Sequence, residues 1–269
     1  MSCRNFIFAL AFCFAAVGCS VAQKNSPTRN INSTEEGQAR SETDLDVASS
    51  AATVTVAELT VPTKARKELE KARKAVLRHR NKEADHYIAK ALLAWPHYCK
   101  ALTLKSWLAV SRHSYDEARV DAEMAVEYDP NDHLALAALG DSYLFLNRFD
   151  DAQRAIDRSI ALKPNAWQGY YVKGKLSIVL RDWPGALRAA VKASSLATEN
   201  AYPHLMMIFA LSGMKDWSAA DNELAVFRRL KPEASWSPEV KRALNHIGMY
   251  KTEPAMDVTR GDNSPSKHP

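Results

Sequence analysis

Apolar residues recur along this chain in pairs of helix-length stretches, and each pair is followed by a turn. One pair reads HLALAALGDSYLFLN and then DDAQRAIDRSIAL. Apolar positions return every three or four residues within such stretches, which predicts α-helices that bury one face or more. Glycine is scarce, with 9 residues in 269, and this disfavours a sheet-and-turn architecture. The pattern therefore predicts an all-α chain built from helix pairs.

The helix pairs recur with a period of 34 residues, set by three kinds of position. Small residues fall at Ala84, Ala118, Ala152, Ala186 and Ala220, and twelve residues after each stand Pro96, Pro130, Pro164, Thr198 and Pro232. Three residues before the last four alanines are Tyr115, Phe149, Trp183 and Trp217. Alanine lets two helices approach closely, and proline cannot continue a helix. Because one helix pair cannot bury its own apolar face, the five copies are predicted to stack.

The repeat resembles the tetratricopeptide repeat family. In the clearest copy, residues 133–166, the family's signature places hold Leu136, Leu139, Gly140, Tyr143, Ala152, Ile156, Ser159 and Pro164. The resemblance implies an all-α, right-handed superhelical solenoid of five 34-residue helix-turn-helix repeats. Their bounds are residues 65–98, 99–132, 133–166, 167–200 and 201–234, within a repeat domain of residues 64–234.

Both ends of the array depart from the repeat pattern. The first copy has Glu68 and Lys71 at usually apolar places, as terminal repeats of arrays commonly do. After the last copy, residues 235–250 predict a capping helix with Ser237 as N-cap, Pro238 as first helical residue and Gly248 as stop.

Residues 1–18 predict a secretory signal peptide. Arg4 precedes the apolar run Phe6–Val17, whose 12 residues are too few to span a bilayer as a helix. The run leads into AVGC, which resembles the bacterial lipobox, and in that family of signals Cys19 becomes the lipidated N-terminus. Ala16 stands where leucine is more usual. The alternative is cleavage by ordinary signal peptidase after Ala22, which would release a soluble protein.

Lipidation at Cys19 would anchor the chain in the bacterial cell envelope, because two or more acyl chains give stable membrane binding. Ser20 follows instead of Asp, which in enterobacterial lipoproteins favours the outer membrane, facing the periplasm. Residues 19–63 and 251–269 are polar with few large apolar groups, so they predict a disordered tether and a disordered tail.

Positive charge is concentrated just after the predicted tether. Lys64 to Lys82 contains nine Lys or Arg against two Glu, which gives +7, whereas the whole chain carries +5. This segment either touches anionic lipid head groups or an acidic partner, or it is the solvated outer face of a terminal helix. For an exported protein we expect no nucleic-acid partner.

The sequence contains no catalytic or cofactor-binding constellation with a recognisable mechanism. Its eight histidines form no HExxH pair, and it has no glycine-rich phosphate loop and no GxSxG nucleophile motif. It has no CxxC pair, and Cys99 is the only cysteine in the predicted repeats, where we interpret it as a small buried helix residue. We therefore expect no enzyme activity, no metal and no cofactor.

The resemblance implies that the first helix of each pair lines a groove for proteins or peptides. The groove places hold Trp107, Leu144, Phe145, Tyr171, Lys175, Ile178, Tyr202, Met206 and Phe209, and further ones hold Lys100, Leu134, Asp141 and Gln168. We expect about half of such places to pack between repeats. The rest would form an apolar, aromatic groove suited to an amphipathic helix or an extended peptide.

One known use of the family is not expected. Leu69 and Arg73 stand where the chaperone-binding members have the Lys and Asn of their carboxylate clamp, so we predict no binding of chaperone tails. The expected function is a lipid-anchored periplasmic adaptor that recruits or assembles envelope protein complexes. The alternative is a soluble secreted or periplasmic repeat protein without a lipid.

Overall fold

Five consecutive helix pairs and one further helix make up the fold. The structure is a computed structural model that describes residues 60–232, 236 and 238–249, where it has 11 helices and no strand. The pairs are α1 Thr63–Leu77 with α2 Asn81–Ala94, α3 Cys99–Ser111 with α4 Tyr115–Tyr128, α5 His133–Phe145 with α6 Phe149–Leu162, α7 Trp167–Val179 with α8 Trp183–Leu196, and α9 Ala201–Gly213 with α10 Trp217–Leu230. The last helix is α11, Pro238–His246.

The helices keep the 34-residue period. We call the first helix of each pair A and the second B. The A helices of the second to fifth pairs begin at Cys99, His133, Trp167 and Ala201, and every B helix begins at an aromatic residue except α2, which begins at Asn81. The first A helix begins at Thr63, two residues before the period places it. The predicted all-α solenoid of stacked helix pairs is confirmed.

The A and B helices form an inner and an outer layer. Helices α3 and α9 each bury 11 of their 13 residues, whereas α4 buries four and α10 three of 14. Each A helix after the first packs against its own B helix, the preceding B helix and neighbouring A helices. The period-marking alanines, Ala84, Ala118, Ala152, Ala186 and Ala220, are all fully buried where these helices meet.

Every A helix ends in the same left-handed turn. Each of the five turns has one residue in the left-handed region, with φ between 57° and 64°. These residues are His79, His113, Asn147, Arg181 and Lys215. In the fourth pair, Asp182 N–H donates to Ser177 O at 2.9 Å and Arg181 N–H to Ile178 O at 3.1 Å, a Schellman motif. Glycine is the usual residue at this φ, and none of the five is glycine, so each turn carries backbone strain.

Helix α11 closes the far end of the array. It begins at Pro238 as predicted, and Gly248 ends it with φ 79° while Met249 N–H donates to Leu244 O at 2.9 Å. The Trp236 indole donates to Lys231 O at 2.7 Å, and its ring lies 5.1 Å from the Phe227 ring. The predicted N-cap Ser237 lies outside the described residues.

In the first repeat, two polar residues at usually apolar places form an ion pair. Lys71 Nζ lies 2.7 Å from Glu68 Oε1, which uses the two polar residues that broke the repeat pattern. Of the nine cations between Lys64 and Lys82, all but Arg73 are exposed. The segment therefore forms a solvated helix face, and its contact with lipid or a partner stays a prediction.

Several predictions concern parts of the chain that the structure does not describe. The signal peptide 1–18, Cys19, most of the tether and the tail 251–269 lie outside the described residues. Residues 60–63, which we placed in the tether, belong to the fold, because Val61 is buried and Thr63 begins α1. Within the described residues, every helix is too short or too polar to serve as a membrane span.

Candidate interaction site

All nine predicted groove residues are buried. Their exposed fractions run from 0% for Leu144, Lys175 and Met206 to 8% for Phe145, and Trp107, Tyr171, Ile178, Tyr202 and Phe209 lie between. Burial alone does not separate packing between repeats from a place in a groove, so the expectation that about half pack between repeats stays a prediction. Contact of any of them with a partner stays a prediction.

The deepest polar contact joins two A helices of adjacent repeats. Lys175 Nζ on α7 donates to Asp141 Oδ1 on α5, and both side chains have no exposed surface. The Lys175 ammonium also lies 4.8 Å from the Phe145 ring centroid and 5.9 Å from that of Tyr171. Burial raises the pKa of Asp141, and the Lys175 charge opposes that rise. The pair ties the third repeat to the fourth.

An open cleft of about 640 Å³ lies where the turns between the first four repeats meet the starts of α3, α5 and α7. Each turn brings aromatic or polar residues: Trp95 and Tyr98 come from the first, Tyr128, Asp129 and Asp132 from the second, and Lys163 and Trp167 from the third. Gln168 is buried in the wall. The cleft therefore combines flat apolar surfaces with polar groups that can orient a bound segment.

The two aspartates of the cleft accept hydrogen bonds from backbone N–H groups and from the Cys99 thiol. Asp132 Oδ1 accepts from the N–H of Leu134 at 2.7 Å and Oδ2 from the Cys99 thiol at 3.2 Å. Asp129 Oδ1 accepts from the Asn131 N–H at 3.1 Å. These bonds hold the turn before α5 in place.

Lys100 and His133, two basic groups of the cleft, are partly buried. Burial lowers the pKa of Lys100, the charges of Asp132 and Asp129 oppose that effect, and the charge of Lys163 adds a smaller decrease. Burial likewise lowers the pKa of His133, with Lys163 and Lys100 adding to the effect against Asp132. The cleft wall carries three cations, Arg73, Lys100 and Lys163, against the two carboxylates of Asp129 and Asp132, so its formal charge is +1 with histidine neutral and weakly favours a negatively charged ligand.

Two helix starts add to the positive potential. The N-cap residues of α3 and α7 are Tyr98 and Ala166, which supply no side-chain cap, and both lie in the cleft wall. The positive end of the helix dipole lies at each of these starts and attracts negative charge. By contrast, Asp132 caps α5.

One cluster in the cleft has the residue types of a metal site. One ligand atom each from Cys99, Asp129 and Asp132 lie within 4.8 Å of one another. Burial raises the pKa of the Cys99 thiol, and the Asp132 charge raises it further. The Cys99 thiol donates to Asp132 Oδ2 at 3.2 Å, and Asp129 Oδ1 accepts from the Asn131 N–H at 3.1 Å. We therefore interpret the cluster as a hydrogen-bonded turn.

The sequence predicted only part of this cleft. Lys100, Leu134 and Gln168 stand at groove places of the family and do line it. Lys163, Trp95 and Trp167 were missed, because they lie in or beside the turns between repeats. The recurring Pro-Asn pairs at Pro130 and Pro164 mark two of these turns and are the signal that points to them.

Comparisons with known proteins agree with the fold. Residues 109–175 match the tetratricopeptide repeat family. A thermophilic TPR protein from Thermus thermophilus is similar, with a TM-score of 0.61 and 14% identity over 67% of this chain and 99% of that chain. The Cut9–Hcn1 hetero-tetramer of the APC/C is similar with a TM-score of 0.58 and 18% identity over 68% of this chain and 37% of that chain. The repeat part of the chain therefore has the tetratricopeptide-repeat fold.

A more distant structural likeness is MamA from Desulfovibrio magneticus RS-1, with a TM-score of 0.46 and 18% identity over 64% of this chain and 97% of that chain. Comparison with curated protein sequences gives no match.

Proposed function

We propose that this chain is a non-enzymatic scaffold that binds other proteins or peptides through the cleft at the starts of α3, α5 and α7. The proposal rests on the composition of that cleft, whose wall contains both tryptophans, Trp95 and Trp167, and lysines, Lys100 and Lys163. Aromatic and apolar walls with a few oriented polar groups are typical of binding sites, and such sites are about 300–1,000 Å³ in volume. At about 640 Å³ the cleft suits a short peptide segment.

The proposal includes a lipid anchor at Cys19 and a place in the bacterial envelope, facing the periplasm from the outer membrane. It is supported by the lipobox-like AVGC after a 12-residue apolar run, and by Ser20 after Cys19. An anchored scaffold would recruit or assemble envelope complexes. The alternative, a soluble secreted or periplasmic protein, differs only in where its partners are found.

Partner binding is tested by retention of envelope proteins from detergent-solubilised membranes on the purified full-length chain. Lys163 lies at the cleft and is exposed, so Lys163→Glu is expected to fold normally and to lower the recovered partner about tenfold. Arg154→Glu on α6 is the matched control, since that side chain is 72% exposed and lies outside the cleft. Equal recovery by both variants, or no retained protein with the wild type, would contradict the proposal.

The anchor is tested by the intact mass of the mature protein from a bacterial host, beside a Cys19→Ala variant. A mass that starts at Cys19 and carries acyl chains, and that the variant loses, supports the anchored form. A mass that starts at Gln23 in both supports the soluble form instead.

A further inference from the structure

We propose that residues 41–59 of this chain occupy the cleft in cis, so that a partner has to displace them. The inference rests on the proposed function, since it concerns control of the same binding site.

The chain reaches its first helix from the cleft. Thr60 and Val61, the first described residues, both line it, and Val61 is buried. Arg73 on α1 lines it as well. Residues 41–59 are therefore joined to the described chain at a residue of the cleft wall.

The charge of this segment is opposite to that of the cleft. Residues 41–59 read SETDLDVASSAATVTVAEL, with four acidic residues, Glu42, Asp44, Asp46 and Glu58, and no Lys or Arg. The cleft wall carries Arg73, Lys100 and Lys163 against Asp129 and Asp132, a formal charge of +1, whereas the segment carries −4. The preceding residues 20–40 lack this complementarity, because their three basic residues outnumber two acidic ones.

The apolar part of the segment matches the rest of the cleft. Val54 and Val56 alternate with threonine within six residues of Thr60, so one face of an extended segment would be apolar. Trp95 and Tyr98 line the same cleft as Thr60. Apolar contact would therefore lie near Thr60, and the acidic residues 42–46 would fall further along the cleft, towards Lys163.

The segment is long enough to reach the far wall. Nineteen residues extend to about 60 Å at most, whereas the starts of α3, α5 and α7 lie on three neighbouring helices spaced about 10 Å apart. Attachment to the same chain gives the segment an effective concentration of about 1 mM or more. Weak contacts therefore suffice to keep the cleft occupied when no partner is present.

The test is lysine footprinting of the purified full-length chain without any partner. Limited acetylation followed by peptide mass spectrometry compares the wild type with a variant that neutralises the segment: Glu42→Gln, Asp44→Asn, Asp46→Asn and Glu58→Gln. We expect labelling of Lys100 and Lys163 to rise about fivefold in the variant. Lys90 and Lys215, which are exposed and lie outside the cleft, serve as internal controls and should not change.

A synthetic peptide of residues 41–59, added at millimolar concentration to the variant, should restore protection of Lys100 and Lys163. A peptide of the same composition in scrambled order is the control. Equal labelling of the two lysines in wild type and variant, or an equal rise at the control lysines, would overturn the proposal. The labelling experiment contains no partner, so a negative result there would not contradict the scaffold function. Failure to retain envelope proteins would contradict the scaffold function but would not change the labelling of the lysines.

Discussion

Lys175 and Asp141 stand 34 residues apart, at equivalent places of adjacent repeats, and form an ion pair with no exposed surface. Taking two charges out of water costs several kcal/mol per ion, which their mutual attraction offsets only when both are present. The pair therefore constrains how the third and fourth repeats stack, because any slip between them separates buried charges.

Breaking this pair should destabilise the fold in a pH-dependent way. Lys175→Met leaves the Asp141 carboxylate buried without a cation, which should lower the free energy of unfolding by about 3–5 kcal/mol at pH 7. Loss of the lysine charge raises the pKa of Asp141 beyond the rise that burial already causes. With a folded-state pKa above its unfolded value of about 3.9, Asp141 contributes stability that is lost as the pH rises through the folded value. Urea denaturation of Lys175→Met at several pH values should therefore show recovery towards acid.

Two further variants control this measurement. The double variant Lys175→Met/Asp141→Leu removes both charges, so it should recover most of the loss and the extra pH dependence should vanish. Lys173→Met removes the exposed partner of Asp157, a pair at 3.1 Å with exposed fractions of 42% and 52%, and should cost about 1 kcal/mol or less. If Lys175→Met costs no more than Lys173→Met, the buried pair does not hold the repeats together.

Gly140 is expected to resist a methyl group although it lies in a helix. A Cβ there would lie 2.8 Å from Ile156 Cγ1 and 3.4 Å from Ala152 O. Ile156 is fully buried and β-branched, so it has little freedom to move. Gly140→Ala should lower the free energy of unfolding by about 1–3 kcal/mol through overpacking, as measured by urea denaturation.

The equivalent glycine one repeat later gives the control. At Gly174 the added Cβ would meet Met206 Cε at 2.9 Å and Sδ at 3.1 Å, which are the far end of a flexible side chain. Helix propensity favours alanine over glycine by about 1 kcal/mol, so Gly174→Ala should be neutral or stabilising. Equal losses at the two positions would show that the tight contact with Ile156 is not the cause.

Relief of strain in the turn after α7 should stabilise the protein. Arg181 has φ 60°, a conformation that costs a residue other than glycine about 1–2 kcal/mol. Arg181→Gly should raise the free energy of unfolding by about 1 kcal/mol, since glycine adopts this φ freely but loses more entropy on folding. Asn147→Gly, at the same place one repeat earlier, should gain less because asparagine tolerates the left-handed region. Loss of stability in Arg181→Gly would mean that the arginine side chain contributes more than the strain costs.

Cys99 should react slowly with thiol reagents. It is buried and donates to Asp132, and both effects favour the protonated thiol. We expect its labelling at pH 8 to be at least about tenfold slower in the native protein than in urea, because the thiolate is the reacting species. Peptide mass spectrometry separates Cys99 from the other cysteines. Equal rates in both states would place the thiol in solvent.

Sequence periodicity was sufficient to predict the helix pairs, because Ala84, Ala118 and their equivalents occupy the same buried place between helices in each repeat. It also predicted the C-terminal helix, whose signals Pro238 and Gly248 are local. The cleft escaped prediction because its walls come from three turns more than 30 residues apart in sequence. Lys175 and Asp141 both stand at groove places, but only packing shows that the two side chains pair with each other.

Binding of proteins at the cleft is tested by a photo-crosslinking amino acid placed at Lys163 of the full-length chain in living bacteria. The same residue at Arg154, which is 72% exposed on α6, is the control. We predict that position 163 gives a crosslinked protein adduct of one defined mass and that position 154 does not give an adduct of this mass. Absence of an adduct at 163, or the same adduct from both positions, would contradict it.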